Sequence, residues 1–327
     1  MKQRIVITGG LGYIGSACAQ RLIEEGYEVR ILDDGRDSVA EGYFDSSIVW
    51  RLNIGSAEVR KLLAEFSPDV VIHLAASASV GYGERDVIGY TRNNVCSFAD
   101  LLESLRNSAP SAAILFSSTF AVYGGVVEAP VDERHPRVPS SWYGWTKLFG
   151  EEMLARFGQS QGVRYLIFRY ANVAGAAYGI VERRKKEEHL IPLVVQAAIE
   201  DKELVVNGTD WPTRDGTCVR DFVHVLDVAD AHLLAISALL EGRASGEILN
   251  IGTSQGITVL EVISTVERIS GRRIRWKAGP RRPGDPAVLL SDPSRAMSLL
   301  GWKPTRTFDQ MIRDAWLYAA SKKSIGG

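Results

Sequence analysis

Through the first half of the chain, short β-branched runs alternate with stretches whose apolar residues recur at helical spacing. This is the pattern of a parallel sheet wrapped by helices. The runs Arg4 to Thr8, Glu28 to Leu32, Ile48 to Leu52, Asp69 to Leu74, Ala112 to Phe116 and Arg164 to Tyr170 predict strands. Several are apolar throughout, as in strands covered on both faces. Helices are predicted near Ile14 to Glu25, Ala57 to Phe66, Tyr90 to Arg106 and Ser141 to Gln161. After about Ala174 the rhythm becomes irregular, with a charge run from Glu182 to Glu188 and a turn-rich stretch from Asn207 to Gly216. A regular helix near Leu226 to Leu240 and a strand Glu247 to Ile251 then read as a return to the first sheet. The helix near Thr258 to Ile269 places Val259, Val262, Ile263, Val266 and Ile269 on one face, and another is expected from Asp292-Pro293 to Gly301, with Pro inside its start and Gly past its end. The fold class predicted is α/β: a Rossmann-type doubly wound sheet over residues 1–175, with 222–252 returning to it, and a smaller C-terminal substrate-binding lobe over 176–327.

Composition narrows the function classes. The 327 residues are 46% hydrophobic and 24% charged, ordinary values for a globular chain. A net charge of -1 gives no long-range attraction to nucleic acid or an acidic membrane. Cys18, Cys96 and Cys218 form no CxxC pair, and the histidines show no metal-ligand spacing, so no metal is expected. With no apolar stretch long enough for a signal h-region or a membrane span, the expectation is a cytoplasmic protein with reduced thiols. The basic residues Arg183 to Lys186, flanked by Glu182, Glu187 and Glu188, read as a solvated loop.

Chemistry concentrates in two places. Directly after the first strand comes Thr8-Gly9-Gly10-Leu11-Gly12-Tyr13-Ile14-Gly15, whose glycines permit a tight turn and close approach of backbone to a pyrophosphate at a helix N-terminus. Alone, such a loop is also a plain Gly-rich turn. Asp33, ending the second strand 18 residues after Gly15, changes that. An acid there accepts bonds from both adenosine-ribose hydroxyls and repels a 2′-phosphate, which favours NAD over NADP. The second place is Tyr143 and Lys147, spaced i, i+4 so that both project from one helix face. A tyrosine ionises near ~10, and bringing it to ~7 takes about 4 kcal/mol of differential stabilisation, which a neighbouring ammonium and a positive nicotinamide ring together can supply. On its own YxxxK is also a common surface pair. Behind the glycine loop, and with Phe116-Ser117-Ser118-Thr119 ending a strand, it reads as a proton-transferring pair.

At these residues the sequence resembles the extended short-chain dehydrogenase/reductases and, within them, the UDP-galactose 4-epimerase branch. The resemblance runs along nearly the whole chain: the glycine loop, Val71-Ile72-His73-Leu74-Ala75-Ala76, Asn93-Asn94-Val95, Phe116 to Gly124, Tyr143 to Lys147, Arg169-Tyr170-Ala171-Asn172, Asp215 to His224, and Arg281-Arg282-Pro283-Gly284-Asp285. It implies that Thr119 meets the sugar hydroxyl, Tyr143 is the acid/base and Lys147 binds the nicotinamide ribose. For NAD it implies contacts from Gly9, Gly12, Tyr13, Ile14 and Gly15, from Asp33, Asp34, Asn53 and Ile54, and from Leu74, Ala75, Ala76, Asn94, Ser117 and Tyr170. For the nucleotide sugar it implies Ser118, Val205 and Asn207, with Asn172, His189, Leu190, Arg220, Arg282 and Asp285 holding the diphosphate. Guanidinium groups suit a diphosphate. Asn172 read by itself also fits a turn cap, Arg220 a pair with Asp221 or Asp227, and His73 a packing role. The sequence departs from the family where Asn53 replaces an adenine-contacting aspartate and Ala78 replaces a lysine near the cofactor phosphates. Leu289 falls at the pocket-gating position, with intermediate bulk. A homodimer through helices flanking the Tyr143 segment is also implied.

Which reaction follows is read from Phe120 and Ala121. Relatives that dehydrate or decarboxylate sugars carry acidic groups just after the threonine, and these two residues move no proton. The expected activity is therefore C4 epimerisation of UDP-glucose and UDP-galactose through a 4-keto sugar. A 4-epimerase of another nucleotide sugar, a net oxidoreductase that releases NADH, and a catalytically idle NAD-binding protein remain open at this stage.

Overall fold

In a computed structural model, residues 2–125, 129–182, 187–282 and 284–323 are described. The Arg183 to Lys186 run and Pro283 lie outside them. Six strands come first in chain order: β1 (Arg4–Thr8), β2 (Glu28–Asp33), β3 (Val49–Arg51), β4 (Val70–His73), β5 (Ala113–Thr119) and β6 (Tyr165–Tyr170). Together with Glu247–Ile251, which pairs with β6, they form one seven-stranded sheet in the order Glu247–Ile251, β6, β5, β4, β1, β2, β3, parallel throughout. The chain reverses its direction of travel across the sheet between β1 and β4, which opens a crevice at the carboxyl ends of the strands.

The apolar strand sequences follow from burial on both faces. Ile5, Ile7, Ile31 and Ile72 pack with the Tyr13–Glu24 and Val225–Leu240 helices, while Val6, Leu32, Val71 and Ile114 pack on the opposite face with the Ala57–Phe66, Ser97–Ser108 and Trp142–Gln161 helices. A separate apolar cluster joins the helices Leu190–Glu200, Val259–Ser270 and Phe308–Lys323, through Val194, Val262, Ile263, Val266 and Ile312. Beside it lie short strands: Leu204–Asn207 pairs with Trp276–Gly279, and Val219–His224 pairs with Asn172–Ala174, Gly256–Thr258 and Val288–Leu289.

Two expected elements differ. The helix expected from Tyr90 to Arg106 is a turn at Val87–Tyr90, a π-helical stretch Thr91–Cys96 and an α-helix Ser97–Ser108. Asn94 explains the wider turn, because its amide accepts from Ser77 N at 2.8 Å and donates to Ser77 O at 2.9 Å and Thr146 Oγ1 at 3.0 Å. The late helix is Ser294–Leu300, with Pro293 at its cap rather than inside it, Asp292 accepting from Ser294 N, and Gly301 in the left-handed region. Among the described residues no helix is long and apolar enough to cross a membrane, and no three His, Cys, Asp or Glu side chains are grouped to hold a metal. The three cysteines are free thiols.

Candidate active site

The crevice at the strand ends is a cleft of about 950 Å³, near the upper end of the ~300–1,000 Å³ range of small-molecule sites. Of the residues named from the sequence, every one except Asn94 lines it. Asn94 is buried and spends its amide on Ser77 and Thr146, while its neighbour Asn93 takes the place at the wall.

The glycine loop is set by close approach. At Gly9, with φ of 71°, a Cβ would stand 2.7 Å from Ala75 N, and at Gly15 one would stand 2.2 Å from Gly9 O. A side chain at either position would push the loop off the sheet. The Tyr13–Glu24 helix begins at Gly12 with no side-chain cap, so its first N–H groups face the cleft without a protein carboxylate or hydroxyl. This cradle fits a pyrophosphate. Asp33 stands at the end of β2, its two carboxylate oxygens accepting from Leu11 N at 3.0 Å and Gly35 N at 2.8 Å. Burial pushes its carboxyl above the usual range, and the two N–H groups pull it back. The remaining acceptor positions on those oxygens suit a vicinal diol.

Tyr143 and Lys147 project from the first turns of the Trp142–Gln161 helix, and several contacts fix where that helix starts. Ser141 caps it by accepting from Gly144 N at 3.2 Å, and Glu84 accepts from Trp142 N at 2.6 Å. A Cβ on Gly144 would lie 2.6 Å from Ala121 O, so glycine lets the helix lie against the segment that follows Thr119. Thr119 Oγ1 accepts from Ala121 N at 3.2 Å, which leaves its proton to donate. Lys147 is 3% exposed and donates to Ser117 O at 2.8 Å. Burial lowers its pKa to about 8, with the Glu151 carboxylate acting to raise it.

Behind this corner lies a network that no sequence motif announced. Glu151, one turn beyond Lys147, accepts from Arg169 Nη2 at 2.6 Å and Nε at 2.9 Å, and from Ser118 Oγ at 2.5 Å. All three are buried. Ser118, expected to meet substrate, turns its hydroxyl into this network instead. Tyr170 likewise lines the cleft while its hydroxyl lies 2.9 Å from His232 Nε2, and burial raises its pKa well above that of a free phenol. His73 packs against Phe98 and Phe116, with Nδ1 2.8 Å from Thr8 Oγ1. Burial lowers its pKa, so it stays neutral.

The opposite wall comes from the later elements. Asn172 donates to Asp221 O at 2.9 Å. Arg220 pairs with neither candidate of the simple reading: Asp221 is taken by Thr253, Ser254 and Ser291, and Asp227 by Thr305 and Arg306. Arg220 reaches Asp285 at 3.5 Å instead and donates to Pro286 O at 2.9 Å. With its amide oxygen turned toward Arg282, Asn207 accepts from Nε at 3.0 Å. His189 Nδ1 lies 2.6 Å from Glu182 at the start of the Leu190–Glu200 helix, and Leu289 packs against the cluster of Phe120, Val122 and Leu148. Among the wall residues not named as site residues from the sequence are Arg36 and Asn93, which bond each other at 2.9 Å across 57 residues of sequence. The polar run Asp34 to Asp37 was the only local hint of the first.

Comparison with known proteins gives a consistent picture. A model of the NAD dependent epimerase/dehydratase family matches residues 5–252. The chain is 37% identical over 316 residues to a UDP-glucose 4-epimerase of Halalkalibacterium halodurans, covering 95% of this chain and 94% of that protein. It is 37% identical over 332 residues to one of Rhizobium meliloti, covering 99% and 98%. Its fold is similar to the crystal structure of UDP-glucose-4-epimerase from Stenotrophomonas maltophila with bound NAD and formylated UDP-arabinopyranose, with a TM-score of 0.93 and 34% identity over 99% of this chain and 100% of that one.

Proposed function

The chain belongs to the NAD dependent epimerase/dehydratase family, and from that premise we propose that it interconverts UDP-glucose and UDP-galactose as an NAD-dependent 4-epimerase. The observation that carries the reading is the convergence of Thr119, Tyr143 and Lys147 on one stretch of cleft whose next residues, Phe120 and Ala121, offer no further acid or base. NAD, held by the glycine loop and Asp33, would supply reversible hydride acceptance at C4 of the sugar. Tyr143, as phenolate, accepts the C4 hydroxyl proton while the ketone forms and gives it back when the carbonyl is reduced. The Lys147 ammonium favours the phenolate by its charge, and Thr119 orients the hydroxyl by hydrogen bonding.

Inverting C4 requires the keto sugar to present its other face. The nucleotide end must therefore be held while the sugar turns. Arg220, Arg282, Asn172, His189 and Leu190 hold the diphosphate, and Val205 and Asn207 line the nucleotide end. Asp33 and Asp34 hold the adenosine ribose, with Asn53 and Ile54 near the adenine. Leu289, seated on the Phe120 cluster, stands at the sugar end of the cleft with a bulk intermediate between the gates for simple and for N-acetylated hexoses.

The decisive experiment supplies UDP-galactose to the purified protein. UDP-glucose should form in many turnovers without net NADH, whereas one NADH per sugar would overturn epimerisation, and preference for a dTDP-, ADP- or GDP-sugar would overturn the choice of base. We also infer a homodimer. Ile88, Val138 and Phe149, which stand exposed on or near the Trp142–Gln161 helix, support it. Light scattering should return the mass of two chains, and a single-chain mass would remove the dimer.

A further inference from the structure

We propose that Arg36 is the centre of a strap that closes over the cofactor's pyrophosphate and sets how fast the dinucleotide leaves. The strap is a chain of hydrogen bonds. Asp34 Oδ2 accepts from Arg36 Nε at 2.7 Å, Arg36 Nη2 donates to Asn93 Oδ1 at 2.9 Å, and Asn93 Nδ2 donates to Ser77 Oγ at 3.1 Å. All four residues line the cleft.

Topology fixes what this chain crosses. Asp34 and Arg36 follow β2, whereas Ser77 and Asn93 follow β4, and these two strands are the neighbours of β1 on either side. A bond between the two segments therefore spans the end of β1, where the chain enters the glycine loop. Asp34 alone would satisfy an exposed arginine as a local pair. Reaching Asn93 is an additional contact, and Asn93 is turned to the wall by the π-helical stretch Thr91–Cys96.

Charge supplies the reason. A pyrophosphate brings two negative charges, and the glycine loop meets them with neutral N–H groups only. The wall after β4 presents Ala75, Ala76 and Ala78, which carry none. Among the described lysines and arginines lining the cleft, Lys147 is bound to Ser117 O, and Arg220 and Arg282 stand on the opposite wall beside Asp285 and Asn207. Arg36 is the one that follows β2, the strand beside β1 and its glycine loop. Its fork can donate to a phosphate oxygen while keeping Asp34, and the cofactor leaves when the link to Asn93 opens.

The inference rests on NAD being the cofactor, and its test separates the two. Enzyme loaded with NADH is chased with excess NAD, and release is followed by NADH fluorescence for the wild type, Arg36→Ala, Arg36→Lys and Asn93→Ala. Thermal melts check that each variant is folded. Release should quicken roughly tenfold or more in Arg36→Ala, less in Arg36→Lys, and measurably in Asn93→Ala, which keeps the charge but removes the far anchor. Wild-type release rates in both alanine variants would overturn the strap. Faster release in Arg36→Ala with Asn93→Ala unchanged would also overturn it, leaving a plain charge effect. A wild type that binds no NADH would instead overturn the cofactor assignment.

Discussion

The two walls of the cleft are built by different means. On the catalytic wall Lys147, Glu151, Arg169 and Ser118 are 3% exposed or less, and their partners are strand ends and a capped helix of 20 residues. On the nucleotide wall the Arg220 side chain is 15% exposed, Asp285 40% and His189 45%, and they come from short strands and loop segments. Buried groups locked by several bonds hold a proton carrier within tenths of an ångström, and partly exposed groups on short strands and loops hold a ligand by charge with less positional constraint. A reaction that must return a hydride to the opposite face of a sugar needs both properties, in different places.

Substitutions can break that contrast. The largest effect should come from Tyr143→Phe, which removes the proton carrier and leaves the pocket's shape, lowering kcat by roughly a thousandfold or more. UDP-sugar affinity, read by calorimetry, should change little. Arg220→Ala is the mirror case: KM should rise on the order of tenfold with kcat nearly kept, because a diphosphate contact serves ground and transition states alike. If instead Tyr143→Phe weakened binding and Arg220→Ala lowered kcat alone, the division between the walls would be wrong.

The smallest effect sharpens the catalytic side. In the proposed mechanism Lys147 assists Tyr143 only as the ammonium, and burial has lowered its pKa to about 8. Activity should therefore fall as pH rises through that value. Glu151→Gln keeps one acceptor oxygen, enough for Ser118 Oγ and Arg169 Nε, gives up the one that Arg169 Nη2 uses, and deletes the carboxylate that raises the lysine's pKa, so the alkaline limb of the pH–rate profile should move to lower pH. A limb that stays in place would mean Glu151 serves packing alone.

The same contrast governs what the sequence disclosed. The glycine loop, Asp33 and the Tyr143/Lys147 spacing are backbone-local signals, each written within one turn or one strand end, and the strands of the main sheet follow from burial on both faces. The strap and the Glu151–Arg169–Ser118 network join residues far apart in the chain, and no periodicity encodes such pairings. Asn94 shows the limit most clearly. Its motif was legible, but which of two adjacent asparagines faces the cleft depends on a π-helical turn that Ser77 and Thr146 stabilise from other elements. On the nucleotide wall, strands of two to six residues carry too few positions to display alternation.

One consequence follows from the strand Glu247–Ile251 lying at the edge of the first sheet. During synthesis β6 emerges some eighty residues before its outer neighbour and until then presents an open row of backbone donors and acceptors to the cell. The residues between them, including Arg220 and the Leu190–Glu200 helix, are all made before this edge is covered. A fragment cut near residue 175 should consequently be sticky rather than independently stable, because the cofactor half borrows its last strand from a part of the chain more than seventy residues further on.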